Sequence, residues 1–204
     1  MIPQDSKLWI PARVGNLGAS QIGLAIKRTK SGWSESRQTL AFQIVAERVT
    51  GVAVDHYVTP AMQWGLDNEA GACELYEAQS GNLTHKAGWF PHPKIECLGA
   101  TPDRLIDSDG LLEAKCPTTV KYIAWRKEGV VPEEHQPQML VQLACTGRKY
   151  VDFVAFDPRI QNPKLQLFVR RFEPPQSKIA EIEEQAAEFL AYVDQLFEAF
   201  TTGA

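Results

Sequence analysis

Asp103, Glu113 and Lys115 are the residues of this chain whose types and spacing point most directly to chemistry. They stand in the stretch Leu98-Gly-Ala-Thr-Pro-Asp-Arg-Leu-Ile106, Asp107-Ser-Asp-Gly110, Leu111-Leu-Glu-Ala-Lys-Cys-Pro117. Two short apolar runs joined by Ser-Asp-Gly read as a hairpin. Asp103 falls on its first arm, Glu113 and Lys115 on its second. Side chains alternate along a strand, so Glu113 and Lys115 share a face while Leu112 and Ala114 turn to a core. Carboxylates at close range suit a hard divalent cation such as Mg²⁺. An ammonium beside them stabilises developing negative charge or positions a water. That is the apparatus of metal-assisted phosphodiester hydrolysis. On these residues alone the alternative is a surface hairpin with a same-face ion pair.

The elements around the hairpin carry further candidates. A helix over about residues 60–79 places Met62, Leu66, Cys73 and Tyr76 on one face at the 3.6-residue period, with Glu69 among them. A carboxylate buried alone costs several kcal/mol. A metal shared with Asp103 and Glu113 would offset that cost, as would a buried Glu–Arg pair. Upstream, Ser20 reads as the N-cap of a short helix through Ile26, with Arg13 just before it. A helix start with a hydroxyl and a nearby guanidinium makes a phosphate pocket; an ordinary N-cap with an unrelated arginine is the alternative. A helix from near Glu133 to Thr146 carries Gln138 and Gln142 one turn apart, where amides orient a water, touch a DNA strand or are simply solvated.

Three more helices are expected, over 34–49 (capped by Ser34, stopped at Gly51), from Thr118, and over about 176–200. Strands are expected at Tyr150–Phe156 and Leu165–Arg171, while 82–97 stays between sheet and loop. The order predicts one domain over 1–204 of mixed α/β class, with a small central mixed sheet flanked by helices. A helical N-terminal part (about 1–80) precedes the hairpin, and the last helix packs on the body or across a subunit boundary.

Composition narrows the function classes. The chain has 204 residues, 44% of them hydrophobic, and a formal net charge of −4. That balance argues against coating nucleic acid non-specifically, though not against a local basic channel. Basic residues cluster at Lys27-Arg28-Thr29-Lys30, Arg126-Lys127, Arg148-Lys149 and Arg170-Arg171. No apolar run approaches a membrane span and Met1-Ile-Pro-Gln-Asp is not a signal peptide. Cys73, Cys97, Cys116 and Cys145 read as reduced, mostly buried thiols of a cytoplasmic protein. His56, His85, His92 and His135 show no zinc spacing.

Taken together, these blocks resemble the phage lambda-type alkaline exonucleases, the YqaJ-like viral recombinase family within the PD-(D/E)xK nucleases. The resemblance rests on Trp9…Arg13…Ser20, Trp64-Gly65…Glu69, Thr101-Pro-Asp103, Leu112-Glu-Ala-Lys-Cys-Pro117, Gln138…Gln142…Thr146-Gly147 and Phe156-Asp-Pro-Arg159. It implies a restriction-endonuclease-like core, in a phage or prophage protein acting in a bacterial host. It also implies 5′-to-3′ digestion of one strand at double-stranded DNA ends, leaving a 3′ overhang for a partner single-strand annealing protein, by a homotrimeric ring. Two Mg²⁺ ions are implied, with Mn²⁺ able to substitute. Asp103, Glu113 and the Ala114 carbonyl would be ligands, with Glu69 in the second ion's shell. Lys115 would orient or activate the attacking water with Gln138, or Gln142 if the register shifts. Arg13, Ser20 and Thr101 would hold the 5′-phosphate, and Lys30, Arg104 and Gln142 would contact DNA. Arg104 stands where the family often has glycine, and Thr101 where it often has serine.

Two other classes compete. A PD-(D/E)xK endonuclease of restriction or junction-resolving type shares the metal site but has no use for Arg13 and Ser20. A non-catalytic nuclease-like scaffold for an annealing protein has no need of intact Glu113 and Lys115. A nucleotide-binding enzyme is excluded for want of a Gly-rich phosphate loop.

Overall fold

The computed structural model describes residues 1–55 and 57–203; His56, among the histidines considered for zinc, lies outside the described residues, as does Ala204. In chain order the elements are β1 Ile2–Pro3, α1 Trp9–Arg13, β2 Leu17–Gly18, α2 Ile22–Ala25, β3 Arg28–Thr29, β4 Gly32–Trp33, α3 Glu35–Thr50, α4 Pro60–Ser80, β5 Thr84–Lys86, β6 Gly88–Pro91, β7 Leu98–Ala100, β8 Arg104–Ile106, β9 Gly110–Lys115, α5 Thr119–Glu128, α6 Gln136–Thr146, β10 Tyr150–Phe156, β11 Leu167–Phe172 and α7 Gln176–Thr202.

The main sheet runs β11-β10-β9-β8-β5, and a second sheet runs β1-β6-β7-β2. β9 and β10 pair in parallel while the other neighbours in the main sheet are antiparallel. A parallel pair needs a crossover, and α5 with α6 supplies it. The class is the expected mixed α/β around a mixed central sheet, and a second sheet accompanies it. β5 and β6 come from the segment whose sequence left sheet and loop undecided.

Alternation along β9 sends its two sets of side chains to different helices. Leu111 packs with Trp125, Met139 and Leu143 of α5 and α6, whereas Leu112 packs with Ala72, Cys73 and Tyr76 of α4. Glu113 and Lys115 therefore lie on the α5–α6 side. A third cluster joins α3, α6 and α7 through Leu40, Ile44, Val141, Phe189 and Val193. The stripe expected on the last helix is thus core, although Phe200 at its end is exposed.

Four expectations need correction. The first hairpin arm is not one strand: Leu98–Ala100 pairs in the second sheet, and only Arg104–Ile106 pairs with β9. Pro102 lies between them and donates no backbone hydrogen bond. The turn spans Asp107 to Asp109, with Asp107 at φ +43°; Arg148 Nη1 holds it by donating to Ile106 O, Asp107 O and Gly110 O.

On α4 the core stripe is Ala72, Cys73 and Tyr76, while Met62 and Leu66 are exposed. Periodicity assigns a face but not how far along the helix that face stays covered. Ser20 is no N-cap either. It sits exposed inside a short 3-10 turn, Ala19–Gln21, where Gly18 is the cap and the Gln21 Oε1 atom accepts from Gly18 N. The caps Ser34 and Thr118 do accept from Arg37 N and Lys121 N.

Candidate active site

Asp103 stands where the β8–β9 ladder stops. Its last rung is Arg104 opposite Leu112, and the Ala114 N–H beyond it donates to Asp103 Oδ2 at 2.7 Å. A side chain replaces the next rung, which holds one carboxylate against the strand that carries the other.

Glu113 is 1% exposed, and both of its oxygens are engaged. Oε1 accepts from Gln138 Nε2 at 2.6 Å and pairs with Lys115 Nζ. Oε2 accepts from Gln142 Nε2 at 2.6 Å. Lys115 Nζ also reaches Gln138 Oε1 at 3.4 Å. The two glutamines are four residues apart on α6, hence on one face, and the crossover places that face over Glu113. Gln142, expected as a DNA contact, is wholly buried, so its amide serves Glu113 instead. Its Oε1 is sealed without a hydrogen-bond partner among the described residues.

Charge crowding marks this cluster. Burial, then Glu113 and Glu69, drive the Asp103 carboxyl well above the usual range, against Lys115 and the Ala114 N–H. Burial pulls Lys115 down, but Glu113 and Asp103 outweigh it, so its pKa rises and the ammonium persists. Cys116 is pushed up to about 12, by burial first and then by Glu69 and Asp103. His135, lowered to about 4 by burial and then Lys115, is neutral and packs edge-on against Trp125 at 5.1 Å.

Hard oxygen donors, mutually repelling carboxylates and a Glu69 with no hydrogen bond or ion pair among the described residues fit a divalent cation chemically. As the side chains stand, no three His, Cys, Asp or Glu residues among those described come close enough to hold one. Glu69 comes from α4, near enough to raise the pKa values of Asp103 and Lys115, while Glu113 is turned into the glutamines.

The residues assigned to the 5′-phosphate do not all meet. Arg13 lines a cavity of about 270 Å³ with Trp9, Gly18, Gln21, Glu47 and Trp89. Its guanidinium lies 4.5 Å from the Trp9 ring centre and 5.9 Å from that of Trp89. Burial lowers its pKa against the pull of Glu47. Ser20 is not among the lining residues. Thr101 lies on the chain between β7 and Asp103, with its Oγ1 sealed and without a partner among the described residues. The two places are linked by β7: Gly18 pairs with Gly99, four residues before Asp103. A Cβ on Gly99 would strike the Trp89 ring at 2.2 Å, so glycine is what lets this wall form.

Of the remaining expected contacts, Lys30 is exposed at the β3–β4 turn, while Arg104 lies near the Cys73 thiol of α4 and lowers its pKa against the upward push of burial. Three of the basic pairs hold structure: Arg126 binds Leu167 O, Arg148 the hairpin turn, Arg170 the Gly129 carbonyl and Arg171 the Asp152 carboxylate.

One residue near the site carried no role in the sequence reading. Arg159 binds the buried Asp157 carboxylate, donates to Pro117 O at 2.9 Å and lies 4.5 Å over Trp64. It thereby ties the end of β9 to the helix carrying Glu69. Its place in Phe156-Asp-Pro-Arg159 was the available signal, but a motif does not say which elements it joins.

Comparison with known proteins now places the chain. Residues 8–149 match the model of the YqaJ-like viral recombinase domain. The crystal structure of LHK-Exo, an alkaline exonuclease from Laribacter hongkongensis, superposes with a TM-score of 0.86 at 35% identity, covering 97% of each chain. The same protein in complex with dAMP gives 0.88 at 34% identity, again over 97% of each. A phage related exonuclease from Haemophilus somnus 129PT shares the fold, with a TM-score of 0.66 at 15% identity over 91% of this chain and 96% of that one. No curated protein matches. With most of its length matched by the domain model, the chain belongs to the YqaJ-like viral recombinase family.

Proposed function

We propose that this protein is a metal-dependent exonuclease that digests one strand of linear duplex DNA from the 5′ end, leaving a 3′ overhang. Family membership and an alkaline exonuclease of matching fold support a nuclease. The observation that carries the finer reading is the pairing of two places on one strand line: the Asp103–Glu113–Lys115 cluster and the Arg13 cavity, joined through β7.

Asp103, Glu113 and the Ala114 carbonyl, with Glu69, would hold Mg²⁺, which when bound supplies Lewis acidity toward the phosphodiester. Lys115, kept as an ammonium by its neighbours, orients the attacking water and balances developing negative charge rather than removing a proton. Gln138, bonded to Glu113 and within reach of Lys115, fixes both side chains. Arg13 between two indoles binds the terminal 5′-phosphate, and each cleavage exposes a new one for recapture, which explains the polarity. The overhang would serve a single-strand annealing protein, and a homotrimeric ring would reconcile the acidic chain with a basic channel.

Digestion of linear duplex labelled at either end, with covalently closed circles and a chelator as controls, tests the reading. Loss of the 5′ label first, in the presence of Mg²⁺ only, is expected. Cutting of closed circles would favour the endonuclease instead.

A further inference from the structure

A second cavity, of about 480 Å³, lies between the start of α3 and the later turns of α7. Trp33, Arg37, Gln38, Glu188, Tyr192 and Gln195 line it, and none of them belongs to the cluster above. Arg37 is only 5% exposed. Its Nε donates to Ala25 O at 2.9 Å, and its Nη2 stands 4.0 Å from Glu188. Its Nη1 has no hydrogen-bond partner among the described residues and is not sealed from solvent, and the residue lines the cavity.

Aromatic rings fix this guanidinium, 3.9 Å from the Trp33 centre and 5.0 Å from that of Tyr192. Arg28 lies 3.7 Å from the same Trp33 ring; two cations this near one centre must take opposite faces. Packing accounts for the buried stem of Arg37. It leaves unexplained an open donor on a residue that lines a space of ligand size.

Charge and shape select the ligand. Glu35 and Glu188, both on the wall, oppose Arg37, so a phosphate is a poor occupant of the interior. A flat, uncharged group with donors and acceptors on its edge fits better. Tyr192 lines the space with an aromatic ring, Arg37 Nη1 is a donor, the Gln38 and Gln195 amides are both kinds, and Glu188 is an acceptor for a ring or amino N–H. Lys27, Arg28 and Lys30 are exposed on the β3–β4 ribbon beside it, with Arg28 paired to Trp33.

We propose that this cavity binds an unpaired nucleobase whose phosphate lies on the Lys27–Lys30 ribbon. The inference rests on the DNA-degrading reading, which produces two sources of such a base: the strand left behind and the released mononucleotide.

Binding is measured with chelator present, so that nothing is cut, by anisotropy of a 5′-hydroxyl oligothymidylate of about eight nucleotides labelled at its 3′ end. Ala191→Trp fills the cavity from an exposed position on α7, and Gln195→Ala removes one amide without touching the core. Ala191→Trp is expected to weaken binding roughly fivefold or more, while single-turnover digestion of 5′-phosphorylated duplex proceeds as in the unmodified protein. Displacement of the oligonucleotide by dTMP assigns the site to the mononucleotide. Cavity-dependent binding that dTMP leaves in place assigns it to the strand. Unchanged affinity in both variants, for oligonucleotide and dTMP alike, overturns the proposal. Failure of the exonuclease reading would show separately, as no digestion by the unmodified protein with cavity-dependent binding intact.

Discussion

Gln142 donates to Glu113 Oε2 at 2.6 Å from a position with no solvent exposure. A carboxylate this deep is stable only while its oxygens are bonded. Gln142→Leu keeps the volume and deletes the donor, so it should destabilise the fold by roughly 1–3 kcal/mol. Thermal unfolding of the purified variant checks this. An unchanged midpoint would mean that Glu113 is satisfied without Gln142.

Asp103→Ala and Lys115→Ala should each lower turnover at least about a hundredfold while duplex binding survives. Single-turnover digestion beside an equilibrium binding titration separates the two. Turnover near that of the unmodified protein in either variant would sink the site.

Stability of the metal-free protein should depend on pH through Asp103. Its carboxyl is raised in the folded state, mainly by burial and Glu113, so the folded protein holds a proton that the unfolded chain has already lost. Stability therefore falls as pH rises from the unfolded carboxyl value, about 4, through the raised folded one. Asp103→Asn should raise the melting midpoint at pH 8 and make no difference near pH 3. Mg²⁺ should stabilise the unmodified protein more than the variant. A variant that melts with the unmodified protein at both pH values would show that the carboxyl is not crowded.

Arg13→Ala should slow digestion of 5′-phosphorylated ends much more than that of 5′-hydroxyl ends, because only the former use the guanidinium. Comparing initial rates on the two substrates is sufficient. Equal slowing would remove the phosphate role from this cavity.

Ser34, Thr118, Gly51 and Gly147 bounded their helices correctly, because capping is local: a side chain or a left-handed residue acts within one turn. The face shared by Glu113 and Lys115 was equally legible, since alternation is a property of any strand. Less visible was where a face ends. Met62 and Leu66 have the right period on α4 but lie exposed, and Ser20 has the right type for a cap that Gly18 fills.

Sequence alone determined the class of fold, the hairpin, the acidic and basic residues proposed for hydrolysis, and the resemblance that comparison bore out. Tertiary structure decided their use. The parallel β9–β10 pair carries α6 across the sheet, so Gln138 and Gln142 close on Glu113 from residues some 25 positions away. The break at Thr101–Asp103 turns a strand end into a carboxylate mount, and pairing of β2 with β7 brings the Arg13 cavity onto the same line. Period and propensity act over a few residues, whereas these contacts depend on which surfaces the whole chain can bury together.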